Sequence, residues 1–549
     1  MSTPAEDPNI PIRRATVSQD RIFGTQVKVA WDLYKIFGIT NPPQGNWDLL
    51  TDYLSDRGPA IGTQGNYAGT NFFGLDSPYV GRGLFYYIND TGLDNLGADR
   101  RALEPEVTNR YRMSLRHRQK VDYNIDVIGE LGLISDRNFL EQYWENTFDQ
   151  DKDQETLLYI RNLDENTAWT GLMRPQVNDF ENTTEWLPRG DFYVLSEPLF
   201  NGAMTWSSHS SAGYGRLRRS VAPEDPAQDV FTPIPYIVDR EGAVLMSRHE
   251  LDAPFNLGDV QFVPFALGEG AFWSEDINGD SLGRLVGSLG IRSSLYAWRI
   301  FPYVQSRLFN VNGLAHKMVF ETEYAYTNSS TSLGNIPQYN EINDDAQERF
   351  QQRFPRNTFG ILPPGSVPVM FDPRFYAVRT GAGRSVTDPY HELIDDQQVA
   401  RIAWRHRLQT KVGPPQRMRI KDWMTLDLEG AYFPDPDRDN FGEEIGLLSA
   451  RYRWFIGDRT TVVANAQYDL FEGAQQLWDL GVINQRSERG SIYLGLRQVR
   501  GGGVLDSQIG TASMTYQMSP KWVSTFGTAY DVKEERNIGQ SLTVTRVGS

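Results

Sequence analysis

The chain of 549 residues contains no cysteine, which removes disulfides, thiol catalysis and Cys-ligated zinc together. Histidine is scarce: His117, His209, His249, His316, His391 and His406 are scattered, none stands at i, i+4 to another, and there is no HExxH, so a zinc catalyst has no scaffold. No G-x-S-x-G elbow, Walker loop or Rossmann glycine pattern occurs. Carboxylates are plentiful, but nothing in the sequence brings two of them to glycosidase spacing. The expectation is a protein without bond chemistry, with no catalytic, cofactor or metal site. A surplus of positive charge is also missing. The balance of 54 Lys and Arg against 70 Asp and Glu, net −16, speaks against nonspecific nucleic-acid binding. No run approaches the ~18 apolar residues of a membrane helix. The opening MSTPAEDPNIPIRRATVSQD has no apolar signal-peptide core, which taken literally means a cytosolic protein unless the chain is missing its own beginning. No repeat of fixed period appears, which weakens a propeller or solenoid.

What is present is a texture of strands and turns. Aromatics make up 12%, with 49 Gly and 26 Tyr. Residues 1–19 are polar and Pro-bearing and read as a flexible lead-in; 20–549 read as one β domain. From Arg21, the residues Phe23, Thr25, Val27, Val29 and Trp31 alternate with Gly24, Gln26, Lys28, Ala30 and Asp32, over more residues than a soluble strand usually has. Hairpins recur at 47–68, 110–133, 445–469 and 507–532, and one is centred on a reversal at Asp164-Glu165-Asn166. Long polar loops interrupt the rhythm near 216–232, 328–365 and 379–396. Strands of roughly 10 residues, apolar on one face and polar on the other, predict an all-β fold, a large antiparallel transmembrane β-barrel of about 22–26 strands when complete. Trp31, Trp169, Trp206, Trp273, Trp298, Trp404, Trp423, Trp454 and Trp522 sit where interfacial girdle residues would. The alternative, core aromatics of a soluble sandwich or propeller, stays open on pattern alone.

Two acidic loops, Asp276-Ile277-Asn278-Gly279-Asp280-Ser281 and Asp435/Asp437/Asp439, carry half of a calcium-loop pattern; the first has Ser281 where the glycine belongs and Gly287 in place of the closing Glu. They read as loop tips. Arg116-His117-Arg118 and Arg405-His406-Arg407 put two arginines on one strand face and a histidine on the other. Arg116, Arg118, Arg405 and Arg407 read either as a solvated lumen or as contacts to an anionic lipid.

With these residues in view, the chain resembles the lipopolysaccharide-assembly outer-membrane (LptD, organic-solvent-tolerance) family. The resemblance rests on Asp52-Tyr53-x-Ser55-x-Arg57-Gly58, on RMSLRHRQ from Arg112 to Gln119 with Arg116 and His117, on Ser135-Asp136-Arg137-x-Phe139-Leu140-x-x-Tyr143, on Glu155-Thr156-x-x-Tyr159 and on Val177-Asn178-Asp179-Phe180, in that order. It implies a translocon barrel in the cell outer membrane that accepts lipopolysaccharide from a periplasmic bridge with a jelly-roll domain. The lipid is released sideways between first and last strands, and a lipoprotein commonly plugs the lumen. On that reading Phe23, Val27, Val29 and Trp31 lie on the seam strand. The chain departs from the family in lacking a jelly roll and signal peptide, in ending at Thr543–Ser549 without a terminal aromatic, and in having no proline within its first strand and no cysteine. The barrel is therefore expected to be unclosed in this fragment. A general porin or channel, and a soluble carbohydrate-active β-protein, are the other readings.

Overall fold

Alternation of large apolar and polar side chains commits most of this chain to strands, because each strand can bury one face only by joining a sheet. In the computed structural model, residues 11–547 are described apart from 43, 73, 98–99, 226–235, 360–371, 415, 471–474 and 502–505. The barrel strands begin with β1 (Ile12–Asp20), β2 (Gly24–Asp32), β3 (Asn46–Leu54), β4 (Gly58–Gly69), β5 (Tyr79–Asn89), β6 (Asn109–Lys120), β7 (Ile125–Ile134) and β8 (Leu157–Asp164). They continue with β9 (Thr167–Arg174), β10 (Thr183–Leu199), β11 (Met204–Arg218), β12 (Arg240–Asp252, extended by Phe255–Leu257), β13 (Val260–Trp273), β14 (Leu282–Ser306), β15 (Val311–Ser329) and β16 (Gln397–Val412). The last are β17 (Arg419–Tyr432), β18 (Leu448–Ile456), β19 (Thr460–Asp469), β20 (Gln475–Ser487), β21 (Gly490–Arg500), β22 (Ser507–Ser519), β23 (Trp522–Asp531) and β24 (Arg536–Val547). Each strand pairs antiparallel with its sequence neighbours.

β1 also pairs with β24, Arg14 opposite Val547 through to Gln19 opposite Leu542, so the 24 strands form a closed barrel. The expectation of an unclosed sheet is thereby corrected. So is the extent of the lead-in. Ile12–Asp20 is a barrel strand whose outward residues Ala15, Val17 and Gln19 are too small or polar to stand out against Arg14, Thr16, Ser18 and Asp20. The two loops expected at 328–365 and 379–396 are parts of one connection from 330 to 396, which contains the helix Pro373–Thr380. The loop expected at 216–232 starts after Arg218 and passes partly outside the described residues.

Along each strand one face is exposed and apolar, the other buried or polar. On β2, Val27, Val29 and Trp31 point outward, while Gln26, Ala30 and Asp32 are buried inside. Further round, Leu285, Leu289 and Ile402 are more than half exposed on the outside. A soluble protein would need polar outward faces. An apolar belt around a sheet with no open seam is instead the form that satisfies every backbone group within hydrocarbon. Of the tryptophans read as girdle, Trp273 and Trp298 lie on the inner face and are corrected to lumen residues; Trp273 is fully buried with its indole N–H facing Glu392, and Trp298 stands in register with Lys317 and Arg407.

The two barrel ends differ. One has tight connections such as Glu165-Asn166 between β8 and β9; the other carries the long ones, at 90–108, 135–156, 219–239 and 330–396. Long loops mark the extracellular side. The described parts of these connections fold into the lumen. α1 (Leu33–Phe37) lies at the short-turn end, whereas α2 (Phe139–Tyr143), α3 (Glu145–Gln150), α4 (Asp345–Phe359) and α5 (Pro373–Thr380) belong to the long-loop end. Phe139, Leu140, Phe148 and Ala346 pack on the inward side chains Leu50, Leu54, Tyr86 and Ile88. Further round the wall, Ile336 and Tyr339 pack on Trp186, Val244, Met246 and Trp273. At the long-loop end the chain's own connections thus cover the inner wall over β3–β7 and β10–β13.

Candidate functional site

The motif residues converge mainly at the long-loop rim. Gly58 begins β4 at φ +125°, where a Cβ would stand 2.6 Å from the Asn89 carbonyl oxygen, and this close turn turns Arg57 inward. Arg57 donates to Asp90 (3.2 Å) and Asp94 (3.1 Å). Arg110 donates to both of these and grips Asp136 through two bonds of 2.9 and 2.7 Å. Ser135 donates to Asp136, which also accepts the Asn138 backbone N–H, and Tyr143 donates to Asp90 at 2.7 Å. Burial raises the Asp94 carboxyl, against the pull of Arg110. Asn178 clamps the end of β7 by accepting from the Ile134 N–H and donating to the Gln154 carbonyl. Phe180 packs on the core beneath. Arg137 bonds Glu106 and the Val221 carbonyl. Asp179 contributes its carbonyl to Val221, and Asp52 accepts from Tyr86 on the inner wall. The sequence pointed to Arg57 and Asp136 but not to their link through Arg110, Asp90 and Asp94, because an isolated Asp in a loop carries no spacing signal.

Tyr53 and His117 are not brought to this network. Tyr53 is exposed on the outer face. His117 faces outward too, among Tyr67, Phe72 and Tyr79, with Tyr67 Oη 3.1 Å from its Nδ1.

The arginines read as solvated-lumen or lipid contacts all face inward and all meet carboxylates. Arg116 reaches Asp151 (3.1 Å), Arg118 reaches Asp126 (3.0 Å), Arg407 reaches Asp427 (2.7 Å), and Arg405 bridges Glu321 (2.8 Å) and Glu429 (2.9 Å). Arg405 belongs to a recess of about 470 Å³ in the wall from β13 to β18. Five arginines (292, 379, 384, 401, 405) and three glutamates (321, 323, 429) line it, a positive excess in a strongly acidic chain. Glu323 receives Arg292 (3.2 Å), Arg401 (3.3 Å) and Arg384 (3.5 Å), so guanidinium N–H groups outnumber the acceptors. Such a surface suits hydroxylated and anionic solutes.

The partial calcium loops hold no acidic cluster: Asp276 spends its carboxylate on the N–H groups of Asn278 and Asp280, an Asx loop tip, and among the described residues no group of three metal-ligating side chains occurs.

The connection 330–396 is latched by buried acids. Glu392 accepts from the Asn340 N–H (2.7 Å) and Gln338 (3.1 Å), and burial pushes its carboxyl up to about 7. Asp153 accepts the Asp345 N–H at 3.0 Å, and burial together with the Asp345 charge pushes it up to about 8. Both groups bind a proton more tightly when the connection is docked, so docking is firmest at acid pH. It weakens as pH rises through the ordinary carboxylate range, until about 7 for Glu392 and about 8 for Asp153. Amide exchange in 338–348, corrected for its intrinsic rate, is expected to be faster at about pH 8 than at about pH 5. Glu392→Gln should flatten that difference; equal exchange at both pH values would refute the latch.

The closing pair is the second notable feature. Val27, Val29 and Trp31, read as seam residues, lie on β2, one strand away from it, and Phe23 stands in the β1–β2 turn packed against Tyr143. The seam itself is β1 against β24. Its inner face is lined by the small hydroxyls Thr16, Ser18, Thr543 and Thr545, with the Thr16 and Thr545 hydroxyls 3.2 Å apart. Its outer face carries Val17, Leu542 and Val544. Toward the long-loop end, Arg536–Ser541 pairs with β23 but has no strand on the β1 side.

No family model matches the chain, and no curated protein matches it. Among solved structures, the siderophore receptor PirA from Pseudomonas aeruginosa is 9% identical with a TM-score of 0.33, covering 97% of this chain and 79% of the receptor. The siderophore receptor PiuA from Acinetobacter baumannii is 7% identical, TM-score 0.28, covering 97% and 81%. A Rh. blastica porin mutant is 8% identical, TM-score 0.19, covering 56% and 92%. Likenesses this distant identify neither family nor ligand. The barrel's own closure and apolar belt carry the assignment: this is an outer-membrane β-barrel.

Proposed function

We propose that the chain is the barrel of a lipopolysaccharide-assembly translocon, without bond chemistry of its own. The observation that supports this best is the short, hydroxyl-lined seam, which β24 overhangs toward the outer leaflet. Parting β1 from β24 would open a path from a polar lumen into the bilayer. The saccharide would stay in the polar lumen, whose far wall carries the arginine and glutamate recess, while acyl chains slide out past Val17, Leu542 and Val544. A periplasmic bridge with a jelly-roll domain would deliver the lipid. A lipoprotein plug would have to enter from the short-turn side, since the chain's own connections occupy the other half. The alternative is a general porin or channel, whose lumen the same connections would constrict.

Photo-crosslinkable residues at positions 17 and 542 are expected to capture lipopolysaccharide in cells expressing the complete protein, whereas position 402, outward but remote from the seam, should not. Capture at 402 alone, or at none of the three with normal surface expression, would refute lateral release.

A further inference from the structure

Within β14–β16, arginines on the two faces of the wall are treated differently. Those of the recess and inner wall, Arg292, Arg401, Arg405 and Arg407, each meet a carboxylate. Arg299 is on the outer face of β14, opposite His316 of β15, and has no salt-bridge partner among the described residues; its guanidinium lies 5.2 Å over the Phe301 ring. Beside it, His316 Nε2 and His406 Nδ1 are 3.0 Å apart across β15 and β16, and the His406 ring is 4.1 Å from that of Trp404. Each imidazole thus keeps one ring nitrogen, His316 Nδ1 and His406 Nε2, for another partner. The Trp404 indole N–H has no bond among the described residues either.

The depth of this cluster decides its meaning. At the long-loop end of the same outer face, Gln398 bonds the Tyr324 hydroxyl, as a polar rim. Ile402, 56% exposed, follows in the apolar belt, then Trp404 and His406. Eight residues separate Gln398 from His406, roughly 20 Å along the membrane normal at ~3.3 Å per residue and a tilt of ~40°. Arg299, His316 and His406 therefore stand at the opposite boundary, where the headgroups of the periplasmic leaflet lie. An unpaired arginine at that level has one abundant acceptor, a phosphate, whose oxygens its fork can take in pairs.

We propose that Arg299, His316 and His406 bind the phosphate of a periplasmic-leaflet phospholipid on the outside of the barrel, with Trp404 and Phe301 against its glycerol and upper acyl region. The site is separate from the lumen and from the seam, and does not depend on what the barrel transports.

The test is native mass spectrometry of the complete protein, released from vesicles of phosphatidylethanolamine and phosphatidylglycerol, reading the fraction of barrels that retain phosphatidylglycerol. Arg299→Gln, alone and with His406→Gln, is expected to lower retention about fivefold. Arg489→Gln, which removes a charge from a different short turn, should leave it unchanged. Equal retention in all variants, or an equal loss in Arg489→Gln, would overturn the site. Competition with inorganic phosphate distinguishes the ligand: no displacement supports a lipid, and displacement overturns the lipid assignment in favour of a simple anion. If Arg299→Gln does not assemble as a heat-modifiable band, Arg299→Lys is read instead. Reduced retention supports recognition through the guanidinium fork, and unchanged retention overturns it.

Discussion

Combining Thr16→Cys with Thr545→Cys is expected to abolish delivery of lipopolysaccharide to the cell surface under oxidising conditions, and a thiol reductant should restore it. The two positions face each other directly in the closing pair, with hydroxyls 3.2 Å apart, and opposed residues of an antiparallel pair lie within disulfide range. Because the chain has no cysteine of its own, the new bond cannot be diverted to another thiol of this protein. The seam is otherwise held by backbone bonds from Arg14 to Gln19 and, on its inner face, by small hydroxyl side chains whose packing contributes little. A covalent staple should therefore change a weak pair into one that cannot part. Each single substitution should be silent. Normal delivery by a fully oxidised double variant would exclude lateral release through this seam, and would leave a channel as the better reading.

Arg110→Ala is expected to destabilise the barrel by about 3–5 kcal/mol, the usual cost of stripping a buried carboxylate of its partner. The Arg110 guanidinium is fully buried and serves Asp90, Asp94 and Asp136 at once, leaving Arg57 alone to face the first two. Asp136→Asn should be milder, since an amide still accepts from Arg110. Arg116→Ala gives the contrast. Its partner Asp151 is partly hydrated, so the expected change is under about 1 kcal/mol. Urea midpoints of the refolded barrel, with the heat-modifiable band as the measure of folding, discriminate the two. Equal effects of Arg110→Ala and Arg116→Ala would show that the rim network is a solvated surface rather than the anchor of the lumen connections. Such an anchor would explain why Arg57, Ser135, Asp136 and Tyr143 stand out as motifs: they tie the β3–β4 turn, β6 and α2 into one rim.

Much of the wall was legible in advance. The reversal at Asp164-Glu165-Asn166 joins β8 and β9 as expected, and the hairpins at 47–68, 445–469 and 507–532 appear with boundaries shifted by a few residues. Alternation also assigned the arginines flanking His117 and His406 to one face and the histidines to the other. β1 escaped notice because its outward residues are small or polar. Trp273 was misplaced because an aromatic near a strand end looks the same whether lipid or a folded-in loop covers it. The His316–His406 pair, far apart in sequence, had no local signal at all.

By itself the sequence determined that this chain makes long two-faced strands, because a period of two is local and repeats in every hairpin. It also excluded thiol chemistry outright, and only the tertiary structure decided the rest. Closure depends on Arg14–Gln19 meeting Leu542–Val547 across nearly the whole chain, and neither segment is distinctive alone. Which part of the inner wall is covered depends on where the connections 135–156 and 330–396 settle. Whether an arginine is neutralised or left to seek a ligand is set by which carboxylates the neighbouring strands carry at the same height on the same face. Those distances are fixed by register around a closed sheet, a property of all the strands together.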